Sequence, residues 1–201
     1  MTPVRELLLG TKNRHKIEEI TTILHGVPFV IKTAFDVPGI ADVEEGYASY
    51  EENARKKAFF YASQAGMPAL ADDSGLEIAY LDGQPGVSSA RFIDPAMTFT
   101  ERNIRILEMM ESVDDSLRAA RFVCVVALAR PDGLVATFQG ELQGTIARAM
   151  SGAHGFGYDP IFWLPDFGRT LAELEPREKN QISHRARALK AAYATLVALS
   201  A

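Results

Sequence analysis

The chain has 201 residues, 47% hydrophobic and 23% charged, with a formal net charge of −5. A chain of this length buries roughly 70% of its unfolded surface, so no metal or disulfide staple is needed to hold a core. Two partner classes are disfavoured. No stretch approaches the roughly 20 apolar residues of a membrane helix, and the basic residues are scattered rather than gathered into the stripe of a duplex DNA or RNA binder.

The single cysteine, Cys124, lies inside the apolar run Phe122–Leu128 and reads as a buried thiol, which suits a reducing cytoplasm. The N-terminal MTPVRELLLG lacks the features of a signal peptide. In chain order, Val4–Leu9 predicts a buried strand and Gly10 to Asn13 a tight turn. Ile17, Ile20, Ile23 and Leu24 then mark a helix stopped at Gly26. Phe29–Lys32 predicts a second strand, followed by a longer connection carrying Pro38, Gly39 and Gly46. Tyr47–Ala65 is helical up to Gly66, with Glu51, Glu52, Arg55, Lys56 and Lys57 expected on a solvated face. Asn53 stands out there, because a mid-helix asparagine is poorly placed unless its amide has a partner.

Ala69–Asp72 predicts a short strand, Asp73-Ser74-Gly75 a polar turn, and Leu76–Ala79 a further strand. Thr98 or Thr100 caps a helix running to about Ser112, with Ile104, Leu107 and Met110 inward. Arg121–Arg130 and Leu134–Leu142 flank Pro131-Asp132-Gly133 as a hairpin. Thr170 and Glu173 form a capping box for a short helix ended by Pro176, and Ser183 caps a last helix reaching about Leu199. Early βαβ-like segments followed by a hairpin imply an α/β fold with a mixed sheet.

Five segments carry candidate chemistry. In LLLGTKNRHK a buried strand enters a glycine turn and then a helix, whose free amides and positive dipole end attract phosphate. Thr11, Asn13 and Lys16 add donors. The segment is not a Walker A loop, since Ile17 follows Lys16 where Ser or Thr is required. The adjacent carboxylates Asp72 and Asp73 are costly to bury without partners. If strand alternation holds, Asp72 shares the face of Leu70 and Asp73 takes the opposite one, which favours Asp73 as ligand or base.

Glu45 precedes the glycine at the mouth of the second helix. With Asp73 it makes a carboxylate pair suited to Mg2+, which takes one or two protein carboxylates and fills its octahedron with water and phosphate oxygens. In GAHGFGYDPIF, glycines bracket Phe156, which can stack on a base, and Asp159 can accept from a base N–H. His184 and Arg185 fall in the first turn of the last helix, where positive charge opposes the dipole, and Lys179 lies before its cap. Each segment also fits an ordinary structural role: a plain strand-to-helix turn, a turn-forming Asp pair, a glycine-rich surface loop, a surface His-Arg pair.

Taken together, Thr11-Lys-Asn13-x-x-Lys16, the block ADDSGLEI…LDGQPGVSSARF, GFGYDPIF and SHRARAL resemble the inosine triphosphate pyrophosphatase family, in family order from Leu7 to Leu189. The resemblance implies an elongated α/β fold with a curved mixed sheet and two lobes around a central nucleotide-binding cleft, as a homodimer with a divalent metal. The implied activity is hydrolysis of ITP, dITP and XTP to monophosphate and pyrophosphate, cleaning the nucleotide pool.

Carried over residue by residue, Thr11, Lys12, Asn13, Arg14, His15 and Lys16 hold the triphosphate, with Ser74 adding a contact. Glu45 and Asp73 bind Mg2+, and Asp73 serves as base for the attacking water. Lys16 and Lys179 assist catalysis. Phe156, Gly157, Tyr158 and Asp159 form the base site, which Lys179, His184 and Arg185 complete, the last two near the purine 6-keto oxygen. Two alternatives stay open: a pyrophosphatase for modified pyrimidine nucleotides on the related fold of the septum-inhibition (Maf) family, and a non-catalytic nucleotide-binding protein.

Overall fold

A computed structural model describes residues 5–41, 43, 46 and 48–200. The strands are β1 (Glu6–Leu9), β2 (Val30–Thr33), β3 (Ala69–Ile78), β4 (Ala119–Arg130), β5 (Gly133–Ile146), β6 (Phe162–Leu164) and β7 (Arg169–Thr170). The α-helices are α1 (Arg14–Ile23), α2 (Tyr50–Ala65), α3 (Phe99–Met109), α4 (Pro176–Ile182) and α5 (His184–Leu199). The strands form one sheet in the order β2-β1-β3-β4-β5-β6-β7. β1 is parallel to β2, with Leu7 opposite Ile31, and parallel to β3, with Leu8 opposite Ala69. β6 is antiparallel to both β5 and β7, so the sheet is mixed. No helix among the described residues is long and apolar enough to cross a membrane.

The chain divides into two compact units: Met1–Asp73, Cys124–Gly140 and His184–Ala201 form one, Ser74–Val123 and Glu141–Ser183 the other. In the first unit, Leu7 and Leu9 of β1, Leu70 of β3 and Cys124, Val126 and Leu128 of β4 bury against Ile20 and Leu24 and against Ala188, Leu189, Ala192 and Leu196 of α5. The consecutive leucines of β1 are fully buried, as in a strand covered on both faces. In the second unit, Leu76 and Ile78, Ile106 and Met110, Phe122, Ile161, Phe162 and Leu171 share another core.

Side-chain caps set where the helices begin. Asn13 Oδ1 accepts the Lys16 amide at the start of α1, and Ser49 Oγ accepts the Glu52 amide at the start of α2. Thr98, not Thr100, caps α3 in a reciprocal box with Glu101. The Thr170–Glu173 box opens only a single 3-10 turn, and Pro176 begins α4 rather than ending a helix. Its missing N–H is no loss at a first helical position. α4 carries Lys179, expected in the segment before the last helix.

Three further expectations are corrected. Asp73-Ser74-Gly75 is no turn: β3 runs unbroken through it, because both carboxylates find partners in mid-strand. Ile104 points outward at 45% exposure, and the inward face of α3 is Arg102, Asn103, Ile106 and Met110. Lys57 is buried rather than solvated, because it falls in register with Tyr50, Asn53, Ala54, Ala58, Tyr61 and Ala62 on the inner stripe of α2.

Candidate active-site residues

The first unit gathers cations around two adjacent carboxylates. β3 alternates, so Asp72 and Asp73 meet different elements. Asp72 faces α1 and α5: its Oδ2 lies 3.0 Å from Lys16 Nζ and 3.1 Å from Arg185 Nη2, with Cys124 Sγ at 3.8 Å. Arg185 also donates from Nη1 to Glu19 at 2.5 Å, which ties α5 to α1. Asp73 faces α2: Oδ1 accepts from Lys57 Nζ at 3.2 Å and Oδ2 from Asn53 Nδ2 at 3.1 Å. The mid-helix asparagine thus has its partner.

Burial alone would raise the Asp72 pKa, but Lys16, Arg185 and Lys57 outweigh it and hold the carboxyl far below the ordinary range. The same balance works in reverse for Arg185, where burial is outweighed by Asp72 and Glu19 and the guanidinium is held above its usual value. Burial pushes the Cys124 thiol well up, so it is an inert, free side chain.

α1 starts directly beyond β1, so the amides of its first turn and its positive dipole end lie at the strand's C-terminal edge. Thr11 Oγ1 accepts the Asn13 amide, Lys12 Nζ donates to Ile40 O, Arg14 stacks over the Phe35 ring at 5.2 Å, and His15 is exposed. Lys16 turns toward the acid pair and bonds Asp72. His184 is buried as the first residue of α5. Gly140 of β5 makes that position reachable, since a Cβ there would strike His184 O and Ala188 N.

The second unit holds Ser74, half-buried on β3, and the remaining expected residues. Lys179 Nζ from α4 lies 2.5 Å from Asp159 Oδ2 and 4.8 Å from the centroid of the Phe156 ring, a cation over an aromatic face. The same Asp159 oxygen accepts the Phe156 amide at 2.8 Å. Gly155 sits at φ +73°, and a Cβ there would collide with that carboxylate. Tyr158 is buried, with its hydroxyl donating to Ser89 O at 2.7 Å, and burial raises its pKa.

A cavity of 660 Å³ in this unit, lined by Asp115, Arg118, Arg148, Trp163 and Glu173, includes none of the expected residues. Its charges are already engaged: Arg118 donates to four backbone carbonyls, Arg148 pairs with Asp115, and Glu173 accepts the Thr170 amide.

Glu45, the expected partner of Asp73 at a metal, lies outside the described residues. Among those described, no group of three His, Cys, Asp or Glu side chains could hold a metal. Sequence reasoning missed Glu19 and Lys57. Lys57 had a readable signal, four residues after Asn53 on the alanine-rich stripe. Glu19, a half-buried acid in α1, had none.

The chain matches the sequence profile of the Ham1 family over residues 7–195. It is 46% identical over 183 residues to a Geobacter sulfurreducens protein named dITP/XTP pyrophosphatase, covering 91% of this chain and 92% of that one. The solved HAM1 protein of Coxiella burnetii superposes with a TM-score of 0.87 at 41% identity, covering 97% of this chain and all of the other. The Staphylococcus aureus Ham1 structure does so with a TM-score of 0.85 at 33% identity, over the same shares. With a family profile spanning nearly the whole length and relatives this similar, the chain belongs to the Ham1 family.

Proposed function

We propose that this protein is a nucleoside triphosphate pyrophosphatase that hydrolyses dITP, ITP and XTP to the monophosphate and pyrophosphate, removing deaminated purines from the nucleotide pool. The observation that carries the reading is the pair Asp72 and Asp73, one clamped to Lys16 and Arg185 and the other to Lys57 and Asn53. The naming of the similar Geobacter protein as a dITP/XTP pyrophosphatase supports it.

In this reading Lys16 and the N-terminus of α1 hold triphosphate oxygens, and Asp72 keeps the Lys16 ammonium from wandering. Asp73 Oδ1 or Oδ2 takes the proton of a water attacking the α-phosphorus, while Lys57 and Asn53 fix the carboxylate's orientation. Positioning and charge stabilisation do most of the work in such reactions. A carboxylate oxygen retains lone pairs after one hydrogen bond, so Asp73, with Glu45, fits the hard-oxygen preference of Mg2+. Bound there with the substrate, Mg2+ supplies Lewis-acid neutralisation of developing phosphate charge.

Phe156 stacks on the purine and Lys179 backs that ring. His184 offers a donor to the 6-keto oxygen, and Arg185, gripped by Asp72 and Glu19, fixes the turn presenting it. Adenine, with an amino group there, leaves such a donor unpaired, and sites of this kind reject such analogues strongly. The working form is a cytoplasmic homodimer, which sedimentation would check.

A substrate panel with product analysis tests the activity. dITP and XTP should be cleaved in Mg2+ with one pyrophosphate released per turnover and ATP barely touched. Preference for UTP or TTP would favour the Maf-type alternative. Binding without turnover would leave only a nucleotide-binding protein, and orthophosphate as product would contradict the mechanism.

A further inference from the structure

The Phe156 ring sits between two glycines, Gly155 at φ +73° and Gly157 at φ +70°. Glycines allow the ring's backbone to approach a flat ligand, but they also raise the entropic cost of holding it in one conformation. A stacking platform works only if its plane is fixed in advance. Something must hold it.

Inside the loop, Asp159 ties back to the Phe156 amide and out to Lys179. Tyr158 is held by Ser89 O, and further restraints come from α3. Asn103, 1% exposed, donates from Nδ2 to Gly157 O at 3.0 Å. One turn earlier, Phe99 meets the Tyr158 ring edge-on with centroids 5.3 Å apart. The helix is itself immobilised, by the Thr98–Glu101 box and by Arg102, whose guanidinium donates to the carbonyls of Phe92, Asp94 and Pro95.

Asn103 carries a further mark. Its Oδ1 is buried and meets no donor among the described residues. An asparagine placed for stability alone is poorly chosen there, because an apolar side chain of the same size would avoid the cost of an unsatisfied acceptor. What the amide provides is the bond to Gly157.

We infer that Asn103 is a positioning residue for the base site, fixing the Gly157–Tyr158 peptide through its Nδ2 and so presetting the plane of Phe156. The inference rests on the assignment of Phe156 as the base-stacking ring. It identifies a residue on α3, outside the glycine-rich loop, that sets affinity for the purine without touching it.

Asn103→Leu keeps the branched outline, with methyls bulkier than the amide atoms, and removes both the useful donor and the unsatisfied acceptor. The expected result is a melting temperature within about 2 °C of the parent, a KM for dITP raised about tenfold and a kcat within about threefold. Hydrogen exchange of the 155–159 amides should accelerate about tenfold in the unliganded protein. Asn103→Ser repeats the comparison if the leucine variant does not fold.

Phe156→Ala should also raise KM, and the double variant should be no worse than Phe156→Ala alone, since both act through one ring. Unchanged exchange, unchanged KM beside an impaired Phe156→Ala, or multiplicative losses in the double variant would overturn the inference. Faster exchange together with a silent Phe156→Ala would instead sink the base-stacking assignment while leaving Asn103 as the anchor of the loop.

Discussion

Replacing Asp72 by asparagine removes one negative charge from a fully buried site while preserving its shape. Asp72 bridges Lys16 at 3.0 Å and Arg185 at 3.1 Å, and its side chain has no exposed surface. Breaking a buried ion network by deleting one partner costs about 3–5 kcal/mol, because the other charges remain stranded. Two features place this case near the lower bound: Arg185 keeps Glu19 at 2.5 Å, and Lys16, at 15% exposure, can turn toward water. About 3 kcal/mol corresponds to a melting-temperature loss of roughly 6–12 °C in a chain of this size. Calorimetry at pH 7 would measure it.

The pH dependence gives the sign. The folded pKa of Asp72 lies below the unfolded value of about 3.9. The carboxylate therefore stabilises the fold above that value, and its contribution is lost as pH falls from there toward the folded pKa. The gap between parent and Asp72→Asn should be full at neutral pH and shrink below about pH 4. A shift under 2 °C at pH 7, or a gap that widens on acidification, would refute the assignment of Asp72 as the hub of the network.

Other perturbations have equally direct outcomes. Lys57→Met leaves Asp73 with Asn53 but removes the Lys57 ion pair, and kcat for dITP should fall at least tenfold with KM moving less, read by steady-state kinetics. Gly140→Ala forces a methyl against the backbone of the first turn of α5, and overpacking of this kind costs about 1–3 kcal/mol. A urea titration should show the loss, and turnover should fall with it because His184 and Arg185 occupy that turn. Chelation with EDTA should abolish pyrophosphate release and excess Mg2+ should restore it, and full activity in EDTA would remove the metal from the reaction.

Much of the fold was legible because it rests on local rules. The cap at Thr98, the stop at Gly66 and the hairpin at Pro131-Asp132-Gly133 all depend on residues within a few positions of one another. What failed was decided at long range. Asp73-Ser74-Gly75 has the composition of a turn, and only Lys57 and Asn53, on another element, let it remain strand. Ile104 and Asn103 change places relative to hydrophobicity because the inner face of α3 must meet Gly157. For the site, the residue types and segments were visible, but not their pairing: Glu19 and Asp72 converge on Arg185 from 166 and 113 residues away.

That pairing explains why two adjacent carboxylates are more useful than one. Consecutive residues of a strand point to opposite faces, so β3 separates two acids by one peptide while assigning each to different cations. Asp72 takes Lys16 and Arg185 from α1 and α5, and Asp73 takes Lys57 and Asn53 from α2. The direct contacts divide cleanly between the two acids, although the Lys57 charge also reaches Asp72 through space. In the proposed reaction one acid therefore serves as a permanent counter-ion while the other, on the opposite face of the strand, accepts the proton. A turn at Asp73, as the composition alone suggests, would abolish that division, because a turn does not guarantee opposite faces. The proposed reaction thus depends on an unbroken strand through the acid pair, and the buried ion pairs on either face are what make such a polar strand tolerable.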